Sequence, residues 1–233
     1  MRASALSDAG RPAQAVKAAS MARTIARHAG DTSTAAHATV TLAELAADSF
    51  QDPGTALTLT MSAQTMAKGS HVAVLAAVIE ANVRAGLGDA PDTVRGIVDQ
   101  AERLQVGAAK GPIGYQLDGV HPGYVAAFAG AALATAGDAD QATPRLDMAA
   151  DMFDPVHANG AMSAVRIYQA RTALGQRQFD EAEALTTQAL AISAGRPASW
   201  LSAGIMSLAD NARQAGVDWS TLRTQAQEWA PVI

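Results

Sequence analysis

The residues of this chain best able to do chemistry gather in one short stretch. Residues 106–123, VGAAKGPIGYQLDGVHPG, and the tyrosine after them bring Lys110, Tyr115, Asp118, His121 and Tyr124 together. An imidazole among phenols and a carboxylate can move a proton or hold a polar ligand near neutral pH. Arginines form a second set: Arg84, Arg166 and Arg171 carry guanidinium forks suited to carboxylate or phosphate. Their competing reading is exposed helix charges in weak ion pairs. Histidines form a third. His37, His71, His121 and His157 would line one edge of a helical stack, but no two have the i, i+4 spacing of a helical zinc site. Packed helices lie about 8–10 Å apart, whereas metal ligands must come within about 2 Å of one point. The expectation is a solvated edge and no metal.

Other chemistries fall away on composition and motif. The 233 residues include no cysteine, which removes thiol nucleophiles, disulfides and thiolate metal sites. There is no phosphate-binding loop of the Walker type, no dinucleotide fingerprint and no G-x-S-x-G elbow. Asp151 and Asp154, which flank Phe153, read as solvated carboxylates at a helix end. No catalytic residue and no cofactor is therefore assigned. A formal charge of −5 has the wrong sign for direct nucleic-acid binding. Arg2 is followed by no sustained apolar stretch, and the run Tyr124 to Ala136 is too short to span a bilayer. A cytoplasmic protein with no membrane contact is expected.

The elements that must position these residues follow from a repeat. Six segments share one spacing: a turn-forming or bulky residue, a core residue three later and another seven after that. They are Pro12, Ala15, Ala22; Pro53, Ala56, Ala63; Pro91, Val94, Ala101; Ala139, Ala142, Ala149; Phe179, Ala182, Ala189; and Trp219, Leu222, Trp229. Ten residues past the core mark come Ile25, Met66, Leu104, Met152 and Ile192, on the same face of a 3.6-residue helix. Proline suits a first helical position, and Asp92, Asp140 and Asp180 suit the positive end of the helix dipole. Gly10, Gly88, Gly137 and Gly175 mark the ends of preceding helices. Each unit reads as helix, glycine turn, helix. Alanine, about a quarter of the chain, lets paired helices approach closely while Leu, Ile and Met fill wider gaps.

Leu174-Gly175, Phe179-Asp180-Glu181-Ala182 and Ala189-Leu190 resemble the turn and second helix of a tetratricopeptide repeat, as does Gly137-Asp138 through Ala142 and Ala149 to Pro155. The resemblance implies an all-α fold: an α-solenoid of about six stacked helical hairpins, a tetratricopeptide-like superhelix formed by residues 1–233 as a single domain. Its units centre on Ala15, Ala56, Val94, Ala142, Ala182 and Leu222, and 106–123 is an irregular loop within the array. In this family first helices line the concave face, where Glu44, Glu80, Arg84, Tyr124, Arg166, Tyr168, Arg171 and Asn211 would stand. The alanine and arginine bias and the mid-array loop are similar to the C-terminal repeat domains of actinobacterial helix-turn-helix transcriptional regulators. That likeness implies a non-catalytic module that senses a peptide or small molecule, or pairs with a partner protein, in the concave groove. The expected ligand-binding residues are Tyr115, Asp118, His121, Tyr124, Arg84, Arg166, Tyr168 and Trp200.

Two alternatives stand beside it. The first unit holds only Arg2 to Leu6 ahead of its turn, which suggests a homodimer joined through a truncated N-terminal hairpin. The second alternative is an enzyme or biosynthetic accessory protein with its site at the 106–124 loop. Trp219 and Trp229 occupy core marks and read as a hydrophobic plug, whereas Trp200 could line a groove.

Overall fold

The computed structural model describes residues 2–111, 119–154, 157–194 and 198–228. Tyr115, Asp118, Pro155 and Trp229 lie outside them. Among the described residues there are twelve α-helices, one π-helical turn and no strand. The helices are α1 (Arg2–Asp8), α2 (Pro12–His28), α3 (Thr32–Glu44), α4 (Pro53–Met66), α5 (His71–Gly86) and α6 (Pro91–Val106). They continue as α7 (Pro122–Thr135), α8 (Ala139–Phe153), α9 (Asn159–Gly175), α10 (Phe179–Ile192), α11 (Ser199–Gln214) and α12 (Ser220–Glu228). The π-helical turn, Leu45–Ser49, continues directly from α3. None of these helices is long and apolar enough to cross a membrane.

The packing order is that of stacked hairpins. Each odd-numbered helix packs on the even-numbered helix after it, and α3, α5, α7 and α9 each touch the next odd-numbered helix as well. This inner layer curls far enough for α1 to meet α11, where Ser199 Oγ donates to the Ser7 carbonyl at 2.9 Å. The curl is tight. Every residue from Val72 to Ile79 on α5 is buried, and α7 is buried over most of its length. The middle of α5 and most of α7 are therefore core, packed against the flanking helices. Small residues make this approach feasible: a Cβ placed on Gly130 of α7 would lie 2.6 Å from Leu146 Cγ of α8.

The repeat marks are core positions in the four central units. Ala56, Ala63, Val94, Ala101, Ala142, Ala149, Ala182 and Ala189 are all fully buried. So are Thr60, Val98, Leu146 and Thr186, four residues past the first mark, which widens the apolar stripe beyond the expected pair. The two threonine hydroxyls are satisfied within their own helices, Thr60 donating to the Leu57 carbonyl at 2.8 Å and Thr186 to the Ala182 carbonyl at 2.7 Å. The first unit departs from the expectation: Ala15 is buried, but Ala22 and Ile25 are exposed. The cause is the brevity of α1, which does not reach them.

Helix ends follow local chemistry. Pro12, Pro53 and Pro91 open α2, α4 and α6, and Pro122 opens α7 in the same way. Side-chain caps supply acceptors for orphan backbone N–H groups: Asp31 accepts from Thr34 N at 2.9 Å and Asp52 from Thr55 N at 3.0 Å. Gly10, Gly88 and Gly137 take positive φ at their turns, but Gly175 does not. It is the last residue of α9, and Arg177 takes the left-handed conformation instead, with φ 62°. The two extra residues of that turn move its reversal past the glycine.

Candidate functional site

The mid-array loop is pinched at its base. Lys110 and Val120 form an isolated parallel bridge; Gly111 N donates to the Val120 carbonyl at 3.2 Å, and Val120 N donates to the Ala109 carbonyl at 3.2 Å. The two chain segments run so close that a Cβ on Gly111 would sit 2.5 Å from the Gly119 carbonyl carbon. Glycine is needed on both sides of this neck. Val106 closes α6, and Gly123 is the second residue of α7, so the irregular segment is shorter at each end than expected.

His121 and Tyr124 stand where the loop enters α7. Nδ1 of His121 accepts from Gly123 N at 3.1 Å and caps the helix, which fixes the proton of the neutral ring on Nε2. Its ring stacks on Phe153, with centroids 5.7 Å apart, and Tyr124 tilts against Phe153 at 5.1 Å. Burial lowers the His121 pKa below the ordinary 6.5. The trio joins α7 to the end of α8, and Gly123 has no room for a side chain because its Cβ would lie 2.8 Å from Phe153 Cε1.

The three arginines do not converge. Arg84 pairs with Glu80 at 2.7 Å and Asp89 at 3.2 Å, while Glu80 also accepts from Gln64 of α4 at 2.7 Å. Arg166 donates to Gln169 at 2.7 Å, and Gln169 donates to Asp147 at 2.8 Å. These residues lie in an open groove of about 610 Å³ along α8, α9 and α10, whose other walls include Asp140 and Glu181. Arg171 instead donates to Thr135 Oγ1, at the end of α7, at 3.3 Å.

Arg171 leads to a constellation that the sequence reading only half identified. It carries the positive charge felt by Asp48, and Tyr168, one turn back on α9, feels Asp48, Arg171 and Glu44 in that order. Residues from α3, its π-helical extension and α9, more than a hundred apart in sequence, thus share one electrostatic neighbourhood at the turn end of the inner helices. Burial raises the Asp48 pKa from 3.8 to about 6, an effect that Arg171 partly offsets. The Asp48 side chain is nonetheless exposed to water, so the effect of the surrounding protein on its carboxyl is screened. Tyr168 is pushed up to about 12, first by burial and then by the nearby carboxylates, so its phenol remains a hydrogen-bond donor at neutral pH. Among the described residues Asp48 closes no ion pair within 4 Å, although Arg171 is its charge neighbour.

The π-helical turn sets the direction of Asp48. Phe50 N reaches back five residues to the Leu45 carbonyl at 3.2 Å, and Gln51, at φ 52°, donates its side-chain amide to the Ala47 and Asp48 carbonyls. Such single widened turns recur at functional sites, since they re-aim a side chain within a helix. Glu44 was among the expected concave-face residues; Asp48, four residues on, was not. The i, i+4 carboxylate pair ahead of Phe50-Gln51 was the available signal.

Trp200 is 38 % exposed at the start of α11, beside the junction with α1, and Trp219 is buried in the cluster that closes the C-terminal hairpin. His37 and His71 are half-buried neighbours, not members of a solvated edge; burial first and positive neighbours, His71 included, lower the His37 pKa. His157 is exposed in a turn with φ 51°. No group of three or more His, Asp or Glu among the described residues is placed to hold a metal ion. No family model, curated protein or solved structure matches the chain.

Proposed function

We propose that this chain is a non-catalytic binding module whose ligand, a small molecule or the end of a peptide, enters at the turn end of the inner helices. The observation that carries the reading is Asp48: a water-exposed carboxyl on a π-helical turn, with the charge of Arg171 and the phenol of Tyr168 in its electrostatic neighbourhood and, among the described residues, no ion pair within 4 Å. An acceptor, a fixed cation and a neutral donor can each address a different polar group of one ligand.

The resemblance to tetratricopeptide arrays, and to the sensor domains of helix-turn-helix regulators, supports a sensing role in the cytoplasm without direct DNA contact. Native mass spectrometry of the protein purified gently from its own host tests this reading. A retained mass of a few hundred daltons that disappears in Asp48→Asn and Arg171→Met is the expected result. Retention unchanged in both variants, or no retained mass together with no thermal shift from a library of charged metabolites, would overturn it.

A further inference from the structure

The outer layer is tied unevenly from one unit to the next. Between the third and fourth units two arginines bridge neighbouring hairpins. Arg95 of α6 donates from Nε to Asp138 at 2.9 Å; Arg145 of α8 reaches Glu102 of α6 at 2.7 and 3.1 Å and Asp99 at 3.6 Å. Counted from the core marks Val94, Ala142 and Ala182, the corresponding positions one unit on are different residues. Thr143 and Gln178 replace Arg95 and Asp138, Leu185 replaces Arg145, and Ala150 replaces Glu102, while Asp147 keeps the carboxylate of Asp99. Among the described residues no ion pair joins α8 to α10. Thr143, Asp147, Gln178 and Leu185 instead form walls of the open groove of about 610 Å³ at that seam.

The groove keeps the acceptors of the preceding seam without its cation. Asp147 accepts from Gln169 at 2.8 Å and, among the described residues, is in no ion pair. Asp140 and Glu181 add two carboxylates to the walls, against the single guanidinium of Arg166, which Gln169 already engages. Pro144 lies inside α8 and has no N–H for the Asp140 carbonyl, which leaves a backbone acceptor of that wall without its helical donor. Leu185 and Pro144 supply apolar surface for a short carbon chain. Arg166, Gln169, Ala173 and Gln176 follow one face of α9, and Tyr168 and Arg171 lie on another, so this groove is independent of the Asp48 neighbourhood.

We propose that the groove between α8 and α10 binds a small guanidinium compound, which takes the place that Arg145 fills in the preceding seam. Its N–H fork meets Asp147, as Arg145 meets Glu102 and Asp99, and its carbon chain lies on Leu185. The volume suits a small molecule.

Butylguanidine is the probe, with butylamine and an end-blocked Gly-Arg-Gly peptide for comparison. In NMR titrations butylguanidine should shift the side-chain amide of Gln169 saturably, in roughly the millimolar range. Butylamine should bind about fivefold more weakly or worse, because an ammonium has no planar fork. Asp147 is exposed, so Asp147→Asn should leave the melting curve unchanged while weakening butylguanidine about fivefold. Leu185→Arg returns the arginine of the preceding seam, and should raise Tm and abolish binding. No saturable shift, equal binding of butylamine, binding of the peptide alone, or binding that survives both variants each overturns the proposal.

Discussion

Two glycines in helix interiors should respond oppositely to the same change. Gly96 lies inside α6 with nothing within 4 Å of a built Cβ, so Gly96→Ala removes only the conformational freedom of the unfolded chain and should stabilise by about 0.5–1 kcal/mol. Gly130 lies inside α7, where the new Cβ would meet Leu146 Cγ at 2.6 Å, Leu146 Cδ2 at 2.7 Å and the Ala142 carbonyl oxygen at 3.2 Å. Leu146 cannot swing its branch point away, because it is fully buried. The helices must separate, at about 1–3 kcal/mol for overpacking against the same gain of about 1 kcal/mol in propensity. Gly130→Ala should therefore fail to stabilise, losing up to about 2 kcal/mol, where Gly96→Ala gains. Urea unfolding with unchanged m-values reads both, and each kcal/mol should move Tm by about 2–4 °C in a chain of this size. Leu146→Ala relieves the clash, so the double variant should show a coupling of about 1 kcal/mol or more in the direction of rescue. If Gly130→Ala stabilises as Gly96→Ala does, or if the coupling vanishes, the close approach of α7 and α8 is wrong.

Further outcomes follow from single groups. The raised Asp48 pKa means that the folded state holds this proton more tightly than the unfolded one; the contribution is full below about pH 4 and lost as pH rises to about 6. Asp48→Asn should match wild type in stability near pH 4 and exceed it near pH 7 by about 1 kcal/mol, a figure already discounted for the water access of the carboxyl; a difference that does not vary with pH contradicts this. His121 has a lowered pKa, so its cap is intact above 6.5 and weakens as pH falls below that. In NMR its imidazole should titrate below 6.5, and a midpoint at or above that value would remove the burial argument. Arg145 is the hub between α8 and α6, reaching Glu102 at 2.7 Å and Asp99 at 3.6 Å while only 15 % of its side chain is exposed. Arg145→Met should cost about 1 kcal/mol at low salt and less at high salt, and a cost independent of salt would assign its role to packing.

Local chemistry in the sequence determined the helices, their starts and the repeat. Proline at first positions, aspartates in first turns and alanines on one helical face act within a few residues, and they placed every central core mark in the interior. The same local rules missed at Gly175, where only the length of the turn shifts the reversal to Arg177, and at Ala22, whose burial depends on a neighbouring helix long enough to reach it. Tyr168 and Arg171 were legible as first-helix residues, but their association with Asp48 was beyond such rules. How far the inner layer curls is the sum of many small packing offsets between alanine-rich helices. That sum brings Asp48, beyond the end of α3, into the electrostatic neighbourhood of Tyr168 and Arg171 on α9. Propensity and spacing specify the pieces because their causes lie within one or two turns of helix; the approach of pieces a hundred residues apart is set by side-chain volumes acting together, which only the folded chain expresses.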